Sequence, residues 1–258
     1  MPKNNHIAAK KKFGQNFLIN SQIIEQIIDI ISPKNKNILE IGPGMGALTK
    51  HLNKDAKNLT VFEIDQDMIN YLVVHKIINL SQIIKGDFLL SNLDNFEHYE
   101  IVGNIPYYIT SEIIFKIVEY RHLFKRAILM VQDEVANRIV AKINTPEYSK
   151  LSVTLQYIAN VKKELFVDKK LFYPQPKVDS AIISIEFKGK NELNFTKLMN
   201  FFKICFLSRR KKLSWSLKSA YSMSKINAAY KTLNLNELTR IQELSVEKIV
   251  ALFKELEQ

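Results

Sequence analysis

The spacing of apolar residues divides the chain into three kinds of segment. Ile23, Ile24, Ile27, Ile28 and Ile31 recur at three- and four-residue intervals, so they share one face of a helix. Ser21 is its expected N-cap, and Pro33 with the Asn/Lys cluster behind it ends it. From residue 37 to about 132, short apolar runs alternate with helical patterns. The runs at 38–41, 59–65, 83–85, 100–103 and 127–132 read as strands, with helices such as 66–75 and 111–119 between them. This alternation predicts a parallel, doubly wound α/β sheet with ligands at the carboxyl ends of its strands. Residues 133–160 read as mainly helical, and 161–166 and 178–187 as closing strands separated by the Pro174-Gln175-Pro176 loop. Beyond Gly189 proline and glycine vanish, and helical periodicity covers 195–206, 213–222, 226–233, 236–244 and 246–256. The expected organisation is an α/β domain over 1–187 and a small all-helical domain over 188–258.

With 258 residues, 47% of them hydrophobic, the chain can bury one large core and one small one. It has no apolar run of about 18 residues, so no membrane span is expected. The polar, basic start lacks the apolar stretch of a secretory signal, which points to a cytoplasmic protein. A single cysteine, Cys205, excludes an internal disulfide. His6, His51, His75, His98 and His122 are scattered without ligand spacing, so no metal is expected. A monomer is the default. The net charge of +11 makes a polyanion, nucleic acid first, the expected partner. An AT-rich genome also enriches lysine, so charge alone leaves that choice open.

Candidate chemistry begins at residues 38–49, ILEIGPGMGALT. Gly42, Gly44 and Gly46, three of the seven glycines, stand between a predicted strand and a predicted helix. Glycine allows positive φ and close approach of backbone to a ligand. Glu63, at the end of the next strand, is placed to accept ribose hydroxyls. The dinucleotide fingerprint Gly-x-Gly-x-x-Gly would place Ala47 at its last position, an accepted variant, so the loop alone fits either NAD or S-adenosylmethionine. Asp87 follows the third strand, where sheets that bind S-adenosylmethionine meet the adenine amine.

After the fourth strand comes Asn104-Ile105-Pro106-Tyr107. An exocyclic adenine amine is a poor nucleophile because its lone pair is delocalised into the ring. The Asn104 side-chain oxygen and the Ile105 carbonyl can hold its two hydrogens and aim the lone pair at a methyl donor. Pro106 fixes the backbone and Tyr107 offers a face for the base. Positioning and electrostatics supply the rate, with no strongly perturbed base required.

In one order the chain carries FGQNFL (13–18), EIGPGMG (40–46), FEID (62–65), GDF (86–88), NIPY (104–107), FYPQPKVDSA (172–181) and SRRKKLSWSL (208–217). Together these resemble the ribosomal RNA adenine dimethyltransferases, of the small-subunit type that modifies two adjacent adenines near the 3′ end of 16S rRNA. The resemblance implies a Rossmann-like methyltransferase fold, with S-adenosylmethionine held by Asn16, Leu18, Gly42, Glu63, Asp87 and Asn104. It also implies that Phe172 and Tyr107 sandwich the target adenine, which must leave its stack. The helical domain is expected to contact rRNA in the 30S subunit or its precursor, with a role in ribosome biogenesis. The clusters Lys10-Lys11-Lys12 and Arg209-Arg210-Lys211-Lys212, with Phe13, Phe206 and Trp215 nearby, read as a track for RNA backbone. Tyr108 and Trp215 stand where the family commonly carries asparagine. The competing readings are a large-subunit adenine methylase conferring antibiotic resistance, a small-subunit assembly factor, and an NAD-dependent oxidoreductase, for which no hydride-transfer site is visible.

Overall fold

The computed structural model describes residues 9–10, 13–189 and 194–258. Within them the isoleucine-patterned segment is helix α1, Ser21–Ile31, with Ile24, Ile27 and Ile31 buried. Its N-cap is Asn20, not Ser21: the Asn20 side chain accepts from the Ile23 N–H at 3.0 Å. The helix closes at Ser32 in a left-handed conformation, just before Pro33.

The strands are β1 (Phe17–Leu18), β2 (Asn37–Ile41), β3 (Asn58–Glu63), β4 (Ile83–Lys85), β5 (Tyr99–Asn104), β6 (Phe124–Gln132), β7 (Ala159–Val167), β8 (Phe172–Tyr173) and β9 (Ser180–Phe187). Seven form one sheet in the order β4-β3-β2-β5-β6-β9-β7. β2, β3, β4, β5 and β6 pair in parallel, and β9 lies antiparallel to β6. Helices α2 (Thr49–Asp55), α3 (Gln66–Val74) and α4 (Thr110–Glu119) supply crossovers. From β2 the chain steps through β3 to β4 on one side, then returns to β5 on the other. The carboxyl ends of β2 and β5 therefore flank a topological switch point, where open α/β sheets bind ligands. A separate two-stranded pairing of β1 with β8, which periodicity did not predict, ties residues 17–18 to 172–173.

Three apolar residues among five are enough for β2 because it is an interior strand: Ile38, Leu39 and Ile41 are all buried. At the sheet's other end, buried Glu100 accepts from Arg126 Nη2 at 2.9 Å and pairs with Lys36 at 3.3 Å. Arg126 also donates to the carbonyls of Ile30 and Ile31, two of the acceptors left open at the end of α1.

The remaining helices are α5 (Asp133–Ile139), α6 (Lys150–Ile158), α7 (Phe195–Cys205), α8 (Leu213–Leu217), α9 (Met223–Thr232) and α10 (Val246–Glu257). The chain forms two compact units, one of Asn137–Val161 with the described part of Lys188–Gln258, the other of the remaining described residues. The expected single division at 188 thus meets a helical unit that also takes in 137–161. The physical reason is packing: Ala141, Tyr148 and Val153 share a core with Phe201, Phe202, Leu217 and Leu252. The Tyr148 hydroxyl donates to the Leu244 carbonyl at 3.0 Å within it. The helix expected over 236–244 is absent. The Asn236 side chain instead accepts from the Leu238 N–H at 2.8 Å, a local turn that competes with helix, leaving a 3-10 turn at Ile241–Glu243. Likewise the helix expected over 213–222 stops at Leu217.

Candidate active site

The carboxyl ends of β2, β3 and β5 and the turn after β4 open on one cavity of about 510 Å³, within the range of about 300–1,000 Å³ usual for cofactor sites. Asn16, Leu18, Gly42, Glu63, Asp87, Asn104 and Tyr107 all line it, although they come from separate stretches of chain. Gly42, Gly44 and Gly46 take φ of +67°, +55° and +81°, so the loop turns through conformations that L side chains rarely adopt. A Cβ added at Gly42 would meet nothing nearer than the Asn104 carbonyl oxygen at 3.9 Å and would stand in the cavity's open space.

Glu63 is buried, and its two oxygens accept from the Asp65 N–H at 2.8 Å and the Gly44 N–H at 3.3 Å. Burial pushes its carboxyl above the ordinary range, against the lowering effect of those donors. Asp87 Oδ1 accepts from the Leu89 N–H at 2.8 Å and caps the 3-10 turn at Phe88–Leu90. Glu40 adds a carboxyl the sequence reading had not singled out. It lines the cavity at 2% exposure, and burial pushes its pKa up to about 8. The Thr49 hydroxyl faces it and works against that shift, but neither Glu40 Oε2 nor the hydroxyl has a partner of hydrogen-bonding geometry among the described residues.

The Asn104 amide is held from an unexpected quarter. Its Nδ2 donates to the Asn16 carbonyl at 3.0 Å, which orients the amide with Oδ1 as its acceptor end. The Ile105 side chain is buried, and Pro106 adopts φ −61°, ψ 132° before the 3-10 turn Tyr107–Ile109. The Tyr107 hydroxyl shares a 2.5 Å hydrogen bond with Ser180 Oγ at the start of β9. Burial raises the Tyr107 pKa, so the phenol stays neutral. Ser180 lies within the 172–181 motif, but no local pattern marks it as the hydroxyl's partner.

Two expected roles meet a different geometry. Phe172, expected to face Tyr107 across a base, is 3% exposed and packs in the core cluster with Leu18, paired across β1 and β8. The ring standing out beside it is Tyr173, 65% exposed. Lys10, expected on an RNA track, is 33% exposed and held in ion pairs: its ammonium pairs with Asp65 at 2.6 Å and Asp67 at 2.5 Å. Lys11 and Lys12 lie outside the described residues. Tyr108 is 60% exposed, and a Cβ at Gly14 would come within 3.2 Å of its ring.

In the helical unit, Arg210, Lys211 and Lys212 are exposed, while Arg209 donates to the Pro146 carbonyl at 2.6 Å. Lys211 Nζ sits 3.8 Å from the ring centroid of Trp215, itself 51% exposed. Among the described residues no group of three or more His, Cys, Asp or Glu is arranged to hold a metal ion, and no helix is long and apolar enough to cross a membrane.

Comparison with known proteins agrees with this geometry. A ribosomal RNA small subunit methyltransferase A of Mycoplasmopsis synoviae is 49% identical over 249 residues, covering 95% of this chain and 96% of that one. The protein of the same name from Mycoplasma mobile is 45% identical over 249 residues, covering 96% and 98%. Among solved structures, a dimethyladenosine transferase from Plasmodium falciparum superposes with a TM-score of 0.79 at 29% identity, covering 93% of this chain and 97% of that one. The 23S rRNA methyltransferase ErmE superposes at 0.73 with 27% identity, covering 94% and 100%. The model of the ribosomal RNA adenine dimethylase family matches residues 6–258, and the chain belongs to that family.

Proposed function

We propose that this enzyme dimethylates the N6 amines of two adjacent adenines near the 3′ end of 16S rRNA, with S-adenosylmethionine as methyl donor, during ribosome biogenesis. The observation that carries this reading is the Asn104 amide, locked by the Asn16 carbonyl on the wall of the cavity above the glycine loop. The relatives' names supply the small-subunit assignment.

The residues present suit the cofactor. Gly42 leaves open the space a side chain would fill, and the unpartnered Glu40 Oε2 is a buried acceptor on the same wall, suited to the cofactor's ammonium group. Glu63 is the proposed acceptor for the ribose hydroxyls and Asp87 for the adenine amine, with Asn16 and Leu18 closing the remaining side. S-adenosylmethionine supplies an electrophilic methyl group on a sulfonium sulfur. Asn104 Oδ1 and the Ile105 carbonyl accept the two hydrogens of the substrate amine and direct its lone pair toward that group. The Tyr107 ring, fixed through its hydroxyl to Ser180, gives the flipped base a stacking surface. The methylated amine is acidic enough to lose its proton without a dedicated base, so alignment and fixed dipoles carry the acceleration. Phe172 could join the stack only by leaving its core position, which makes Tyr107 the principal aromatic surface. Arg209, Arg210 and Lys211 are the proposed RNA-backbone contacts. The enzyme is taken to act in the cytoplasm as a monomer, on the 30S subunit or its precursor.

A second reading, methylation of large-subunit RNA, is favoured by the likeness to ErmE over that whole chain. Methyl transfer from labelled S-adenosylmethionine to 30S and 50S subunits lacking these methyl groups separates the two. Label on two adenines near the 3′ end of the small-subunit RNA supports the main reading. Label confined to 50S subunits moves the enzyme to the second, and tight 30S binding without label makes it an assembly factor.

A further inference from the structure

The stretch ahead of α1 is fixed along the wall of the cavity from end to end. Phe13 to Ile19 all line it. The Phe17 ring lies over the glycine loop, 3.2 Å from where a Cβ on Gly44 would stand, and the Tyr108 ring is equally close to the corresponding position on Gly14. At its amino end Lys10, Gln15 and Asp65 close a ring of hydrogen bonds. Lys10 Nζ donates to Asp65 Oδ1 at 2.6 Å, Gln15 Nε2 donates to Asp65 Oδ2 at 2.9 Å, and the Lys10 N–H donates to Gln15 Oε1 at 2.8 Å. One residue further on, the Asn16 carbonyl accepts from Asn104.

Asp65 differs from the other buried carboxylates near the cavity, Glu40 and Glu63, in its partners. It is 2% exposed, and it also accepts from the Asp67 N–H at 3.1 Å as N-cap of α3. Beyond its own helix, its side-chain partners all belong to the N-terminal stretch. A helix cap needs only the Asp67 contact, so the buried oxygens facing Lys10 and Gln15 have another use.

We propose that Asp65 is a positioning residue for methyl transfer. Through Gln15 and Lys10 it holds the Asn16 carbonyl where it selects one orientation of the Asn104 amide. The selection matters because an amide turned over would aim its NH2 donors at an amine that is itself a donor, in place of the acceptor the substrate requires. Asn16 is fixed locally as well, its own Nδ2 donating to the Gly14 carbonyl at 3.1 Å. That bond is internal to the stretch; the β1–β8 pairing ties down residues 17–18, and the Asp65 cluster, with the Lys10–Asp67 ion pair beside it, ties down the residues ahead of Asn16.

The inference rests on the proposed roles of Asn104 and the cavity. Asp65→Asn tests it, because asparagine caps a helix as well as aspartate, while its NH2 opposes the donors of Lys10 or Gln15. At saturating cofactor and RNA, kcat is expected to fall about 10- to 100-fold, the range that follows from small misplacement of a reacting group. Neutralising a buried carboxylate whose pKa the fold lowers gives up some stability, so the melting temperature should fall while α3 stays capped, and the amides of residues 15–18 should exchange with solvent faster. The double variant Asp65→Asn with Gln15→Glu returns a carboxylate to the ring at position 15, where it accepts from Lys10 and from the new amide at position 65. It should recover most of the lost rate. Loss of α3 capping could not be repaired from residue 15. Parent-like kcat in the single variant, or no recovery in the double variant, overturns the inference. The parent's own labelling of 30S subunits is scored separately, so failure of the reaction assignment shows there, and the exchange measurement needs no RNA.

Discussion

Replacing Glu63 by glutamine should weaken the cofactor's hold on the enzyme, by an amount the geometry bounds. The carboxylate already accepts from two backbone donors, the Asp65 N–H at 2.8 Å and the Gly44 N–H at 3.3 Å, and carries lone pairs to spare for ribose hydroxyls. Glutamine keeps the shape but offers a single acceptor oxygen, so its NH2 must face either a backbone N–H or a ribose hydroxyl. The longer Gly44 contact is the one expected to be given up, loosening the glycine loop as the ribose loses a charged acceptor. A hydrogen bond to a charged group contributes about 1.5–3 kcal/mol, which corresponds to about a 10- to 150-fold rise in Kd. Titration calorimetry with S-adenosylmethionine, alongside thermal melting to confirm folding, measures it directly. A Kd within about twofold of the parent in a folded variant would refute the ribose assignment.

Glu40 gives a prediction in pH. Its carboxyl titrates near 8 in the folded protein against about 4.5 when exposed, so the folded state holds the extra proton between those values and stability falls as pH rises through that window. Glu40→Gln, uncharged throughout, should gain stability relative to the parent between about pH 5 and pH 8 in urea unfolding; a constant difference would contradict the burial argument. Arg126→Met leaves buried Glu100 facing only Lys36 and uncovers the last carbonyls of α1. A loss of about 3 kcal/mol is expected, and a melting temperature indistinguishable from the parent's would show that water replaces the guanidinium at no cost. Neutralising Arg210 and Lys211 to glutamine should reduce the slope of log affinity for rRNA against log salt by about 1.4 to 1.8, roughly 0.7–0.9 per phosphate contact. An unchanged slope would make the cluster surface charge alone.

Local spacing carried much of this molecule. A strand of four or five residues between turn signals, a helix with isoleucines on one face, and glycines at alternate positions after a strand are written within a dozen residues each, because propensity and burial act over that range. The glycine loop, Glu63, Asp87 and Asn104 were legible for that reason, and the parallel sheet brings them to one cavity as the alternation of elements requires. Where local chemistry had close competitors, reading by periodicity failed. Asn20 rather than Ser21 caps α1, and Asn236 turns a helix-patterned stretch into a loop.

What only the tertiary structure decided are contacts between segments far apart along the chain. Asn16 and Asn104 are 88 positions apart, and Lys10 and Asp65 are 55 apart. Nothing in the spacing of either pair marks it, since the partners meet only when strand order and the β1–β8 pairing bring them together. Lys10 read as one of three solvent-facing cations, and Phe172 read as well for a stacking ring as for a core ring. Charge and hydrophobicity are properties of a residue, but whether a charge finds a carboxylate or a ring finds a cavity depends on which segments the sheet makes neighbours.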